Sequence, residues 1–168
     1  MTEQSIQHRL GAELLAVLEE TFERVQGIYL DRGTSLFETL EGVAASTASR
    51  PIAAACAPLS AQVAHVTFYL EVLERALLGQ EVGRMDWGEI WRTVGAVSDT
   101  EWSGLLGQLR VTYERVKGVI AGISDWDGED SIGAALAIIV HTAYHLGEIR
   151  QGLGVLRDSA PPAGSASV

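Results

Sequence analysis

Cysteine is almost absent from this 168-residue chain, which contains only Cys56. One cysteine cannot form a disulfide within the chain, and small extracellular domains commonly depend on disulfides. The N-terminal segment MTEQSIQHRL also lacks the basic-then-apolar order of a secretion signal. These two absences favour a reducing cytoplasm. Because no histidine lies close to Cys56 in sequence, we expect this cysteine to be a small buried residue rather than a nucleophile.

Basic residues are scarce as well. The chain has 12 Lys and Arg against 22 Asp and Glu, which gives a formal net charge of −10 at pH 7. Such a surface repels phosphate backbones, so nucleic acid is not an expected partner. Long apolar runs are also missing, because the longest uncharged apolar stretch, around 132–140, is too short to span a bilayer. We therefore expect no membrane partner and assign the apolar residues to a core and to interfaces.

No part of the sequence alternates apolar and polar residues as a strand does. Instead, apolar residues recur at three- and four-residue steps, which is typical of amphipathic helices. These stretches cover about 5–30, 60–79, 98–120 and 130–157. Ser60 is the expected N-cap of the second, and Ser98 with Glu101 has capping-box spacing at the start of the third. The pattern predicts an all-α four-helix-bundle domain over 1–157 and a disordered tail over 158–168.

The connections between these helices also contain structural signals. About thirty residues join the first two helices, which is too long for a bare loop. The capping-box spacing of Ser35 and Glu38 predicts a short helix there, so the connection is partly helical. Trp87 and Trp91 lie four residues apart between the second and third helices. They suit a lid or a crossing turn.

The pentapeptide HTAYH places His141 and His145 four residues apart in the fourth helix. Residues at this spacing share one helix face, and Glu148, three residues further on, keeps to that face. In the HExxH motif of zinc proteases a glutamate follows the first histidine. Thr142 occupies that position here, so the protease interpretation fails. The pair is then either half of a metal site or two core histidines that hydrogen-bond to their neighbours.

A metal site of this kind needs at least a third ligand. His8 and His65 are the remaining histidines of the chain. His8 lies away from the main apolar stripe of the first helix and suits a solvated surface position. His65 lies within AQVAHVTFYL, on an apolar face of the second helix. Because a bundle can bring the second and fourth helices side by side, His65 is the better third ligand, while Glu148 either joins the site or pairs with an arginine.

The fourth helix is apolar on two sides. Ala134 and Ile138 accompany the histidines on one side, and a second apolar stripe is centred on the opposite side. That stripe consists of Ile132, Leu136, Ile139, Ala143, Leu146 and Leu153. One side faces the bundle, and the other faces either the long first connection or a second copy of the chain. We therefore expect a homodimer.

Three segments taken together resemble the DinB/YfiT-like superfamily of bacterial four-helix-bundle metalloproteins: SAQVAHVTFYLEVL, DWGEIWRTVGAVSDTEWSGLLGQL and HTAYHLGEIRQ. The last is similar to the family pattern H-x-x-x-H-x-G-[QE]-I, and the resemblance covers about 5–156. It implies a divalent metal, zinc or nickel, held by His65, His141 and His145, with coordination left open for water or substrate. It also implies dimers, and activities that include thiol-dependent transferases, isomerases and hydrolases.

Glu148 departs from the glutamine that many members of the superfamily carry. A carboxylate there is a candidate catalytic acid or base, a fourth ligand, or a group that orients an imidazole. Four arginines are candidates to line a pocket for an anionic, low-molecular-weight thiol: Arg50, Arg84, Arg92 and Arg110. The leading interpretation is a metal-dependent enzyme of the thiol S-transferase type that acts on a small molecule. The alternatives are a metal-dependent hydrolase using a bound hydroxide and a non-enzymatic, metal-binding, stress-related dimeric bundle.

Overall fold

The computed structural model describes residues 2–53, 56–128 and 130–158. Within these ranges the chain forms seven helices and no strand, so the all-α prediction is confirmed. The four long helices are α1 (Glu3–Phe22), α4 (Leu59–Leu77), α6 (Asp99–Gly122) and α7 (Ser131–Asp158). The three short helices are α2 (Leu36–Leu40), α3 (Ala45–Ala48) and α5 (Glu89–Thr93). The predicted disordered tail lies outside the described residues except for Asp158, which ends α7.

The long helices pack in pairs. The helix α4 packs against α6 and α7, and α1 packs against the same two helices. Every residue from 59 to 67 is buried, so the first half of α4 is enclosed on all sides. Phe22 of α1 and Tyr113 of α6 stack with ring centroids 4.6 Å apart in the core. Since burying one large apolar side chain contributes about 1.5–3 kcal/mol, this core firmly anchors the half of α4 that carries His65.

Both predicted capping boxes are present. The Ser98 side chain accepts a hydrogen bond from the Glu101 backbone N–H, and the Glu101 carboxylate accepts one from the backbone N–H of Ser98. Ser35 and Glu38 make the same pair of bonds at the start of α2. Ser60 was expected to cap α4, but the helix begins one residue earlier, after Pro58. The Ser60 hydroxyl instead donates to the carbonyl of Gly95, 2.5 Å away, and ties α4 to the segment that precedes α6.

The end of α1 differs from the prediction. The apolar period continues to residue 30, yet the helix ends at Phe22 because the buried carboxylate of Glu20 binds the segment that follows. Burial alone would raise the pKa of Glu20, but hydrogen bonds from backbone N–H groups lower it to about 2. The donors are the N–H groups of Gln26, Ile28, Tyr29 and Leu30. A carboxylate that satisfies these donors stabilises a loop where helical hydrogen bonds would otherwise form.

A further expectation concerns a single residue. Cys56 is exposed, so the prediction of a buried cysteine is wrong. It lies in the connection between α3 and α4, and connections run over the surface because their backbone groups need water. Trp102 and Trp126 are core residues, with 4% and 2% of their surfaces exposed.

The helix α7 is long and apolar enough to span a bilayer, a property that it shares with the central helices of soluble proteins. Ile139, Leu146 and Leu153 of the predicted second stripe are buried. Ile132 and Leu136 of the same stripe are 37% and 46% exposed in the single chain, so the first turns of α7 have one uncovered apolar side.

Candidate metal centre

The structure brings His65, His141 and His145 together. His65 projects from the enclosed half of α4, and the other two residues project from adjacent turns of α7, which packs against α4. The Nε2 atom of His141 lies 3.2 Å from the Nε2 atom of His65 and 3.2 Å from that of His145. One ligand atom from each histidine lies within 4.8 Å of the other two. These residues, hereafter the histidine cluster, could hold a metal ion.

The spacing of the cluster fits a metal. Zinc binds imidazole nitrogen at about 2.0–2.1 Å, so two nitrogens in a tetrahedral site lie roughly 3.3 Å apart. The two Nε2–Nε2 distances of 3.2 Å match that separation. In the described residues no fourth histidine, cysteine or carboxylate belongs to the same group. Catalytic zinc sites usually have three protein ligands, whereas closed structural sites have four.

The side chains of Gln62 and Glu148 fix the tautomer of His145, and so determine which of its nitrogens presents a lone pair to the cluster. The Nδ1 atom of His145 lies 2.6 Å from the amide oxygen of Gln62 and 2.9 Å from a carboxylate oxygen of Glu148. Both are acceptors, so Nδ1 carries the proton and donates to them. In the neutral ring the Nε2 atom then carries a lone pair, which points at the other two histidines. Metal-binding histidines are commonly oriented in this way.

Hydrogen bonding alone does not account for the other two histidines. An Nε2 atom carries either one proton or one lone pair, so the Nε2 atom of His141 cannot serve two partners 3.2 Å away with good geometry. The Nδ1 atoms of His65 and His141 are buried without a hydrogen-bond partner. A cation shared by the three Nε2 atoms would account for their close approach, and the Nδ1 atoms would then carry the protons of the neutral rings.

The imidazoles of the cluster are neutral at pH 7. Burial lowers the pKa of His65 to about 4 and that of His141 to about 3, and repulsion from the neighbouring histidines adds to the effect. Burial also lowers the pKa of His145, although the Glu148 carboxylate opposes this. Neutral imidazoles keep their lone pairs, so a divalent cation does not have to displace protons from them.

These pKa values predict an acid-sensitive metal-free protein. Between pH 6.5 and about 4 the unfolded chain binds protons at His65 and His141 that the folded chain rejects, so the free energy of unfolding falls as pH falls. The loss from pH 7 to pH 5 is at most about 2 kcal/mol per histidine, reduced by solvent screening. Urea unfolding in the presence of EDTA at both pH values measures it. His141→Gln removes one titrating group, so an identical loss in that variant would contradict the prediction.

Glu148 lies outside the cluster. Its carboxylate contacts the Nδ1 edge of His145, on the side of the ring that faces away from the converging Nε2 atoms. The structure thus places this candidate catalytic residue where it orients an imidazole, and not where it would fill a coordination position. Its side chain is 38% exposed.

Three functional neighbours of the cluster were missed by sequence reasoning. The ring of Tyr69 stacks on that of His141 with centroids 3.5 Å apart, and Trp91 lies 4.3 Å from the ring of His65. Gln62 is the third, and its signal was visible, since it is a polar residue three positions before His65 in a buried stretch of helix. Tyr69 also left a signal, because it lies four residues after His65 on the same face of α4. The contact of Trp91 joins separate elements and leaves no periodic signal.

Three of the four arginines that were candidates to line an anion pocket have partners in the structure. Arg92 pairs with Asp86, and Arg110 lies 4.1 Å above the ring of Phe37. Arg50 donates to the carbonyl of Leu156, near the other end of α7. These three arginines have partners away from the histidines, so the prediction that they line one pocket at the site is wrong for them. His8 is exposed on α1, as expected.

No protein-family model matches the chain, and neither the curated proteins nor the solved structures contain a match. Any assignment of function therefore rests on the geometry of the histidine cluster and its surroundings.

Proposed function

We propose that the protein binds one divalent metal ion, zinc or nickel, through the Nε2 atoms of His65, His141 and His145, and that it is an enzyme of the thiol S-transferase type. The observation that carries the proposal is the convergence of three Nε2 atoms with two separations of 3.2 Å. One histidine of α4 and two of α7 do not meet in this way for packing alone, because apolar side chains would fill the same space at lower cost.

The chemistry follows from the donor set. A bound zinc or nickel ion acts as a Lewis acid and lowers the pKa of a thiol or a water beside it. The chain itself keeps three imidazoles neutral by burial and holds His145 in one tautomer through Gln62 and Glu148. Because Glu148 is engaged at the Nδ1 edge of that ring, its carboxylate does not occupy the region of the converging nitrogens.

The thiol-transfer assignment is tested with a thiol and an alkyl halide. In the reaction of cysteamine with monochlorobimane, the sulfur forms a bond to the CH2 carbon, chloride leaves and the thiol proton passes to buffer. We expect the zinc-loaded protein to accelerate product fluorescence above the spontaneous rate by at least about tenfold, a modest rate effect for an enzyme. The His141→Ala variant should show only the spontaneous rate. Equal rates for both proteins would contradict the assignment.

A metal-dependent hydrolase is the second candidate. It is favoured by the surroundings of the cluster, where Glu148 supplies a negative charge and three of the expected arginines are engaged elsewhere. An anionic thiol cofactor would lack a cationic partner among these groups, whereas water needs none. Turnover of an ester substrate without any thiol distinguishes this candidate from the first.

We further propose that the four long helices form a bundle of the DinB/YfiT-like type and that a second copy covers the exposed side of α7. The uncovered Ile132 and Leu136 support the dimer, as does the absence of charged residues from 131 to 147. An uncharged helix face allows two acidic chains to approach each other. Sedimentation velocity at micromolar concentration should give the mass of two chains, and a monomer would contradict the dimer.

A further inference from the structure

Aromatic rings line one side of the histidine cluster. Trp91 packs on His65, Tyr69 stacks on His141, and the ring centroid of Tyr144 lies 5.0 Å from that of His145. Trp87 extends the row, because its ring lies 5.6 Å from that of Tyr69. We call these four residues the aromatic rim. They come from α4, α5, α7 and the segment before α5, so three of these pieces of chain place an aromatic ring against the cluster and the fourth adds Trp87 beside Tyr69.

The rim is not buried in the way that core aromatics are. Trp87 is 44% exposed, Trp91 is 38% exposed and Tyr144 is 62% exposed. By contrast, Trp102 and Trp126 in the core are almost fully buried. Single exposed aromatic residues are common, but a row of them beside buried polar groups is typical of a ligand-binding surface. Packing between the helices therefore does not explain why these rings lie at the surface.

The charged side chains near the aromatic rim limit the charge of a ligand that can bind there. The carboxylate of Glu148 contacts the cluster directly, because it lies 2.9 Å from the Nδ1 atom of His145. The same carboxylate interacts with the hydroxyl of Tyr144 in the rim. Arg92 projects from α5 beside Trp91, and Asp86 neutralises it. The metal ion would bind the donor atom of the ligand, and the body of the ligand at the rim would lie near the Glu148 carboxylate, so an anionic body is disfavoured there.

We infer that the aromatic rim binds the flat, uncharged or cationic body of a small ligand whose donor atom reaches the metal site. This inference rests on the proposed metal binding and narrows the ligand class within it. Ring faces attract other aromatic rings and also cations, and both kinds of contact are commonly used for ligand recognition. Trp91 is a specificity-determining residue, because it lies directly against the ring of His65. Ligands with carboxylate-bearing bodies are disfavoured by Glu148.

The test uses two thiols that share a donor atom and differ in their bodies. Benzyl mercaptan has an uncharged aromatic body, and 3-mercaptopropionate has an anionic one. Each is titrated into the full-length protein loaded with Co²⁺, and binding is measured by the thiolate-to-cobalt absorption band and by tryptophan fluorescence. We expect Trp91→Leu to weaken benzyl mercaptan about tenfold, which corresponds to loss of one aromatic contact and its buried area. Binding of 3-mercaptopropionate should change less than twofold.

Three controls accompany the titration. Trp91→Phe keeps an aromatic ring and should retain most of the wild-type affinity for benzyl mercaptan. Ile28→Ala, at a 49% exposed apolar residue in the loop after α1, should leave both affinities unchanged. Should Trp91→Leu fail to fold, Trp87→Leu at the outer end of the rim provides a second variant, with about a threefold expected loss for benzyl mercaptan only.

Two outcomes overturn the inference and are distinguishable. If Co²⁺ binds at one equivalent but the ratio of the two thiol affinities is the same in wild type, Trp91→Leu and Trp87→Leu, the rim does not recognise the ligand while the metal site stands. If the wild type does not bind Co²⁺ at all, the proposed metal site and the inference fail together.

Discussion

Replacing His141 by alanine is expected to weaken the binding of Zn²⁺ or Ni²⁺ by at least about a hundredfold. Removing a group that merely orients a ligand commonly costs 10–100-fold, so removing a ligand should cost more. His141 has the central position, because its Nε2 atom is 3.2 Å from both of the others. Without it, His65 and His145 remain as two separate donors on different helices. Isothermal titration calorimetry of metal-free protein, with a competing chelator, measures the change.

The matched control is His8→Ala. His8 is also a histidine on a helix, but it is exposed on α1 and belongs to no metal-binding group. Its replacement should leave the affinity within about twofold of the wild type. The histidine cluster would be the wrong site if His141→Ala bound metal as tightly as wild type, or if His8→Ala lost binding to the same extent.

A bound metal should also raise the melting temperature by about 5–10 °C. At a free metal concentration of 100 times Kd, a ligand that binds only the folded state stabilises it by about 2.7 kcal/mol, and 1 kcal/mol shifts Tm by about 2–4 °C in a protein of this size. The physical reason is that one ion links α4 to α7 through side chains that are otherwise distant in sequence. Differential scanning calorimetry with EDTA and with added zinc measures the shift.

The His65→Ala variant separates specific binding from general effects of zinc. It removes the one ligand that α4 contributes, so zinc should no longer link the two helices. We expect a shift below about 2 °C in this variant. A shift as large as that of the wild type would mean that the metal binds elsewhere, and no shift in either protein would contradict the metal site.

Much of the fold could be predicted from local patterns. The capping boxes at Ser35 and Ser98 identified the starts of α2 and α6, because both hydrogen-bonding partners lie within four residues of each other. The end of α1 could not be predicted in this way. It depends on the carboxylate of Glu20 accepting from N–H groups as far away as residue 30, which is a contact that no helical or turn pattern encodes.

Some residues of the candidate site could likewise be predicted from the sequence, and others could not. His141 and His145 could be paired by helical spacing, and His65 could be added because it is the other histidine on an apolar helix face. The interpretation of Glu148 stayed open because three roles were compatible with its position on that face. The contact with the Nδ1 atom of His145 fits the role of orienting the imidazole, and this contact could not be read from the spacing. The positions of Trp91 and the arginines depend on how α5 and the loops settle on the long helices, and sequence spacing carries no information about this.

The most direct test of the central claim is the metal content of the protein purified without a histidine tag, measured by inductively coupled plasma mass spectrometry beside the His141→Ala variant. If His65, His141 and His145 form a metal site, the wild type carries close to one equivalent of zinc or nickel per chain and the variant carries almost none. Wild-type protein that has no stoichiometric metal, and takes up none when zinc or nickel is added, would contradict the account.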